Sequence, residues 1–399
     1  MRRFLLSLSL TVLFIGLLLP LAFAQDSGAP QPPQNDNAPI KVVYGFDQEF
    51  PPYSFTEAGG DGAGFEMDLV RAIFKGQNVE LLLRPLAWDR IQLELAGGQI
   101  TLTTGMVKSA QRAELYAFSD LPTLSANIRF FTKLRNRVPD PALLRGQAVA
   151  VEKGSYAQRL LDMYGGIIVK PYPSKQEALR ALFADQVVAY CGPEGNTYYL
   201  LDKFKYTDIT ALGTPLRLSD MYIAVNKEQA PRILPIVNAG MRMLVQSGEY
   251  ERIYRRWFVQ DLTDKDIAAL KDSAGKASRS AYAPYSNAGA GAAVLSKTGR
   301  IYSGCTVENA LLSLNVSALR NAVGAAVLAG DPEIRGAIII DTKGQVVTAS
   351  AEDIQYIYEF NRGALFVQGQ NPDKTWATRT AGELLPNPTR LYQAEDFDE

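Results

Sequence analysis

From Ile40 onward, short apolar runs alternate with segments whose apolar residues recur every three to four positions. Two alternating periods commit the chain to an α/β architecture, with buried strands and helices that cover them. Residues 41–46 read as a strand, and 79–83 as the next. Between them Met67, Val70, Ile73 and Phe74 keep helical spacing, and 88–96 read as the following helix. Upstream of Ile40 neither period holds. Residues 25–39 are rich in Pro, Gln, Asn and Asp and read as a disordered leader. Before them stand Arg2 and Arg3, an uncharged apolar run over 4–19, and Ala22-Phe23-Ala24. These are the parts of a secretory signal peptide over 1–24, so the expected location is the periplasm. An uncleaved membrane anchor is the alternative, because the apolar stretch nearly reaches spanning length.

Histidine is absent, and Cys191 and Cys305 are the only cysteines. Imidazole bases, Ser-His-Asp triads and His-ligated zinc are thereby excluded from this chain. The two cysteines fall in different expected domains and read as separate small residues, although an oxidising compartment would permit pairing. Charge is nearly balanced, with 41 basic and 42 acidic residues, and no basic stripe points to nucleic acid.

Residues 40–260 carry a series of motifs in order: Phe50-Pro-Pro-Tyr-Ser-Phe55, Gly64-Phe-Glu-Met-Asp-Leu69, Trp88-Asp89-Arg90, Gly105-Met106, Ser109-Ala-Gln-Arg112 and Tyr116-Ala-Phe-Ser-Asp120. The series ends in Gly248-Glu-Tyr250 and Ile253-Tyr-Arg-Arg-Trp257. This region resembles the family 3 solute-binding proteins, which serve polar amino acid uptake and related sensors. The resemblance implies a two-lobed periplasmic binding protein fold (type II). Lobe one would cover about 40–130 and 223–260, and lobe two about 131–222, with crossings near 129–133 and 217–224. A small ligand would sit between the lobes, where closure excludes water.

Arg112 is the leading ligand residue, because a guanidinium grips a carboxylate through two parallel hydrogen bonds. In the family the matching arginine holds the ligand's α-carboxylate. Thr104 and Gly105 belong to a loop that would present backbone groups to the same carboxylate, and Val107 stands where a hydroxyl residue is common. Gly154 and Ser155 open the first helix of lobe two, whose free N–H groups favour an anion. An ordinary N-cap is the competing role for Ser155. Tyr53 and Trp88 are expected to wall the ligand side chain, core packing being the alternative. Amino-acid-binding relatives place an aspartate where this chain has Pro193; Glu194, one residue along, is the expected substitute. A carboxylate-bearing small ligand is therefore expected.

A second region follows Thr263-Asp-Lys-Asp266, which has the form of a capping box opening a helix with Ile267, Leu270 and Ala274 on one face. It holds Ala281-Tyr-Ala-Pro-Tyr-Ser286, Gly291-Ala-Ala293 and Gly304-Cys-Thr-Val-Glu-Asn-Ala310. These motifs resemble the cytidine deaminases, and the resemblance implies an α/β/α sandwich over 264–397. The zinc-and-proton motif Cys-Ala-Glu-Arg is replaced by Ser317-Ala318-Leu319-Arg320, and the second zinc motif by 349–355. The metal positions are then Ser317, Ser350 and Asp353, and the proton-shuttle position is Leu319. Two hydroxyls and a carboxylate replace three thiolates poorly toward a borderline-soft ion. The expectation is a catalytically inactive module for structure or assembly, with no catalytic residue, metal or cofactor, and an enzyme in neither domain. Glu308 matches the family carboxylate that contacts the ribose hydroxyls, Thr306 replaces the asparagine that partners it, and the two mark a possible vestigial nucleoside site. Residues 311–328 read as one buried helix.

The leading function is a periplasmic receptor for a small polar, carboxylate-bearing ligand such as an amino acid. Its partners would be an ABC permease or a membrane sensor, with a homo-oligomer through the C-terminal domain. The alternatives are an exported deaminase and an interaction scaffold with a vestigial cleft.

Overall fold

The computed structural model describes residues 38–136, 141–386 and 388–389; the expected signal peptide and most of the leader lie outside them. The alternation read from the sequence appears as strands Ile40–Asp47 and Val79–Leu86 paired in parallel, with helix Phe65–Phe74 between them. One face of that helix buries Phe65, Met67, Leu69, Val70 and Ile73 against helices Ala230–Gln246 and Glu249–Phe258.

Among the described residues a nine-stranded sheet runs through both lobes. Its centre is a pair of long antiparallel strands, Leu124–Lys133 and Ile209–Asn226. On the lobe-one side, Leu102–Val107 and Tyr116–Phe118 pair with the second of these, at residues 221–226. On the lobe-two side, Ala189–Pro193 pairs with the first, at residues 128–132. The lobes therefore join along 124–128 and 217–221, where the long strands pair with each other. The crossing expected at 129–133 lies on the lobe-two side of that junction. Strand Ala148–Glu152 and helices Tyr156–Tyr164 and Lys175–Phe183 complete the part of lobe two that faces the cleft.

Thr263 closes the capping box: its hydroxyl accepts from Asp266 N (3.1 Å), and Asp266 Oδ2 accepts from Thr263 N (3.0 Å). The helix so started, Asp264–Ser278, covers one face of a five-stranded sheet. Ile267, Leu270 and Ala274 pack there on Ala293, Leu295, Ile338 and Ile340. The alternate residues Ala292, Val294, Ala337 and Ile339 point to the other face, under helices Ala318–Leu328 and Ala351–Tyr358. Period-2 strands with both faces apolar give the α/β/α sandwich. Gly291 is fixed by close approach, since a Cβ there would lie 2.2 Å from Ala274 O and from Ser278 N.

The helix expected over 311–328 is shorter than the sequence suggested. The Ser317 hydroxyl accepts from Arg320 N (3.1 Å) and starts the helix at Ala318. Leu311, Leu312 and Leu314 stand in an exposed turn. Apolar character alone did not reveal that N-cap.

The two parts of the chain are fastened by Arg362. It pairs with Glu251, donates to Tyr250 Oη (3.1 Å) and lies 4.5 Å from the Tyr254 ring centroid. Leu262 fills the space over Gly336, where a Cβ would lie 2.8 Å from its methyl carbons.

Candidate functional site

The cleft between the lobes holds about 50 Å³ of space that water can enter, within about 580 Å³ of empty space that includes open solvent. Its lining includes Trp88, Gly105, Val107 and Arg112 from lobe one, and Ser155, Tyr156 and Pro193 from lobe two. The turn that starts helix Ala110–Leu115 aims Arg112 inward, because Ser109 caps the helix by accepting from Arg112 N (3.3 Å). The guanidinium is 5% exposed and donates to Val107 O (2.9 Å), Gln92 Oε1 (3.4 Å) and Gly154 O (3.4 Å). Among the described residues no carboxylate pairs with it. Burial, with the nearby Arg159 charge, lowers its pKa to about 10.

Trp88 Nε1 also donates to Gly154 O (3.3 Å), and the Arg112 guanidinium lies 5.8 Å from the Trp88 ring centroid. Gly154 is in the left-handed region (φ 70°), and its carbonyl thus accepts from lobe-one donors across the cleft. Gly105 has φ 70° and lies over Glu66, so only a residue without a side chain suits that turn. Ser155 lines the cavity and caps helix Tyr156–Tyr164, accepting from Gln158 N (3.1 Å); the ordinary N-cap role and a place in the lining coincide.

Four expected ligand residues fall outside the lining: Gly154, whose carbonyl is held as described, and Tyr53, Thr104 and Glu194. Tyr53 is 3% exposed and packs against Phe50 (4.5 Å between ring centroids) and Phe258 (5.6 Å), as a member of the lobe-one core. The Thr104 hydroxyl is taken by Tyr44 Oη at 2.6 Å. Glu194 does not replace the missing aspartate, because Arg129 (2.5 Å) and Asn127 (2.8 Å) hold its carboxylate on the adjoining strand.

The sequence reading missed three buried charged residues of the same cavity: Asp47, Glu152 and Lys175. Lys175 Nζ lies 2.7 Å from Asp47 Oδ2 in lobe one and 2.8 Å from Glu152 in lobe two. It also stands 4.4 Å from the Phe50 ring centroid. Burial alone would lower the Lys175 ammonium; Asp47 and Glu152 more than offset this and hold it above its ordinary value. Burial raises the Glu152 carboxyl above its ordinary value, and the Lys175 ammonium opposes this. One hint was present in the sequence: Lys175 begins a helix, where the dipole disfavours a cation.

In the C-terminal domain the structure brings Ser317, Ser350 and Asp353 together. Ser317 Oγ donates to Asp353 Oδ1 (2.6 Å), and Ser350 Oγ accepts from Asp353 N (3.1 Å) as a helix cap. This hard, oxygen-only set, with both hydroxyls engaged in capping, does not fit a zinc ion. No group of three or more His, Cys, Asp or Glu side chains among the described residues is arranged to hold a metal. Leu319 is fully buried in the core. Glu308 accepts from Tyr285 N (2.9 Å), Ser286 N (3.2 Å) and Ser286 Oγ. Those bonds, the Ser286 hydroxyl's first, hold its carboxyl below the usual range. Thr306 Oγ1 accepts from Ala290 N (3.2 Å), within its own sheet. Cys191 and Cys305 are free thiols.

Two lobes on one continuous sheet, with a buried arginine facing the space between them, define the class of ligand-capturing α/β binding proteins. The family model "Bacterial extracellular solute-binding proteins, family 3" matches residues 42–260, and the chain belongs to that family. A second model, "Cytidine and deoxycytidylate deaminase zinc-binding region", matches residues 228–352. The first part of that match, 228–260, folds inside the solute-binding domain. L-cystine-binding protein TcyJ of Escherichia coli (strain K12) is 26% identical over 236 residues, covering 56% of this chain and 84% of that protein. A cytidine deaminase of Sporosarcina psychrophila is 36% identical over 133 residues, covering 33% of this chain and 95% of that protein. Among solved structures, an ancestral arginine-binding protein bound to arginine superposes with a TM-score of 0.51 at 26% identity, covering 55% of this chain and 99% of that one.

These matches correct one expectation. The chain was read as containing no enzyme, yet it carries a domain of the cytidine deaminase family with cytidine deaminases as relatives. Nothing found shows that domain to be inactive. A donor set that does not fit zinc at one site describes that site alone.

Proposed function

We propose that the protein captures a small carboxylate-bearing ligand of amino-acid type in the cleft between its lobes. Arg112 is the observation that carries this reading. A guanidinium 5% exposed, held only by neutral acceptors, lacks the counter-charge that buried cations normally have. A ligand carboxylate supplies it through charge-assisted hydrogen bonds. Trp88 forms one wall, and the Gly105 turn and the Ser155 helix start offer backbone donors nearby. An L-cystine-binding protein and a putative arginine-binding protein of an ABC transporter are among its relatives, in agreement with an amino-acid-like ligand. Mass spectrometry of small molecules released by denaturing the purified protein tests this. A stoichiometric amino acid or related carboxylate is expected; a stoichiometric ligand without a carboxylate would overturn it.

The proposed setting is the periplasm, reached through the segment over 1–24, with delivery to an ABC permease or a membrane sensor. The family's extracellular character supports this. Fractionation of expressing cells should place the protein with the periplasmic contents, and a cytoplasmic location would contradict it. For the C-terminal domain the proposed partner is a second copy of the chain. Leu312 and Leu328, exposed by 71% and 91%, belong to its apolar surface. Light scattering should give the mass of an oligomer, and a monomer at high concentration would refute this.

A further inference from the structure

We infer that Lys175 is a built-in cation that sets ligand selectivity: the cleft takes amino acids with uncharged side chains and rejects those with cationic ones. The inference rests on the amino-acid reading above. Four charged side chains line the cavity: Arg112, Lys175, Asp47 and Glu152. Lys175 crosses from lobe two to reach Asp47 in lobe one, so its ammonium bridges the lobes from inside the cavity. All three side chains of that bridge are at most 7% exposed.

The charges lining the cavity sum to zero and divide into two ends. Arg112 is a cation with no carboxylate paired to it among the described residues. The bridge holds two carboxylates for one ammonium. One end therefore has an unmet need for an anion and the other a surplus of one carboxylate. A zwitterion meets both needs without adding net charge, its carboxylate at Arg112 and its ammonium on the cavity-facing side of the bridge, beside Lys175 rather than in its place. Pro193 and Glu194 cannot supply the second contact, the one lacking an acceptor side chain and the other being held by Arg129. A ligand with a further positive group adds a charge that nothing in the closed cavity balances, and buried unbalanced charge is strongly unfavourable. Lys175 already fills the position between the two carboxylates that such a group would need.

The test is calorimetric titration of the full chain with L-alanine, L-glutamine, L-leucine and L-cystine, and with L-arginine and L-lysine. The wild type should bind the best neutral probe at least 100-fold more tightly than either basic one. Glu152→Gln with Lys175→Met leaves the summed charge at zero and vacates the place beside Asp47 that Lys175 fills, so a cationic side chain can take that place. In that double variant the ratio should move at least tenfold toward arginine and lysine. Equal wild-type affinity for neutral and basic probes would overturn the inference, as would a folded double variant with an unchanged ratio. If the double variant fails to fold, the wild-type ratio decides alone. If no probe binds, the amino-acid reading falls and the inference falls with it; binding without the selectivity removes only the inference.

Discussion

Glu66 lies beneath the cleft floor and carries a pH dependence that can be worked out from its surroundings. Its side chain is fully buried, and a Cβ on Gly105 would lie 3.1 Å from Oε2. Thr123 Oγ1 donates to its Oε1 (3.2 Å), and Oε2 is buried beside Gly105. Burial pushes the carboxyl from 4.5 up to about 7, against smaller opposing contributions from the Thr104 and Thr123 hydroxyls. The folded protein therefore holds this proton more tightly than the unfolded chain does. The resulting stability is fully present below about pH 4.5 and is lost as pH rises through about 7. At about 1.4 kcal/mol per pH unit the whole effect is about 3 kcal/mol, most of it falling between pH 5 and pH 8. Glu66→Gln keeps the shape and has no proton to lose. Urea unfolding of both proteins at pH 5 and pH 8 should show the variant gaining about 2–3 kcal/mol relative to wild type over that interval. A difference that is the same at both pH values would refute the reasoning.

Arg362→Ala should loosen the junction between the two domains. It leaves Glu251, 18% exposed, without its partner and removes the cation from the Tyr254 ring, a cost of about 3 kcal/mol. A lower thermal midpoint with faster proteolysis near residue 261 is expected, and an unchanged melt would contradict the junction described. Leu319→Ala empties a fully buried position in the C-terminal core and should cost about 2–5 kcal/mol, read by chemical denaturation. A cost below about 0.5 kcal/mol would mean that Leu319 does not pack as described.

Most of the fold was legible because it rests on periodicity. Met67, Val70 and Ile73 announced their helix, and Ile267, Leu270 and Ala274 announced the one that follows Thr263. The capping box at Thr263 was legible for the same reason, being local. The site was legible only in part. Arg112, Trp88, Gly105 and Ser155 lie in motifs, and the structure gathers them in one cavity. Tyr53 and Glu194 were misplaced because their partners, Phe258 and Arg129, are distant in sequence. The Asp47–Lys175 bridge spans 128 positions, and no local pattern encodes a pairing of that range. Residues 311–317 were read as helix because their leucines fit the period, while the exposed turn depends on a single serine hydroxyl.

The central claim is that Arg112 anchors a carboxylate in the cleft, and calorimetry of wild type against Arg112→Met with the same amino acid panel tests it most directly. Two charge-assisted hydrogen bonds at about 1.5–3 kcal/mol each predict at least a 100-fold loss of affinity for every ligand the wild type binds. Affinity retained within about threefold, in a variant that melts like the wild type, would contradict the account.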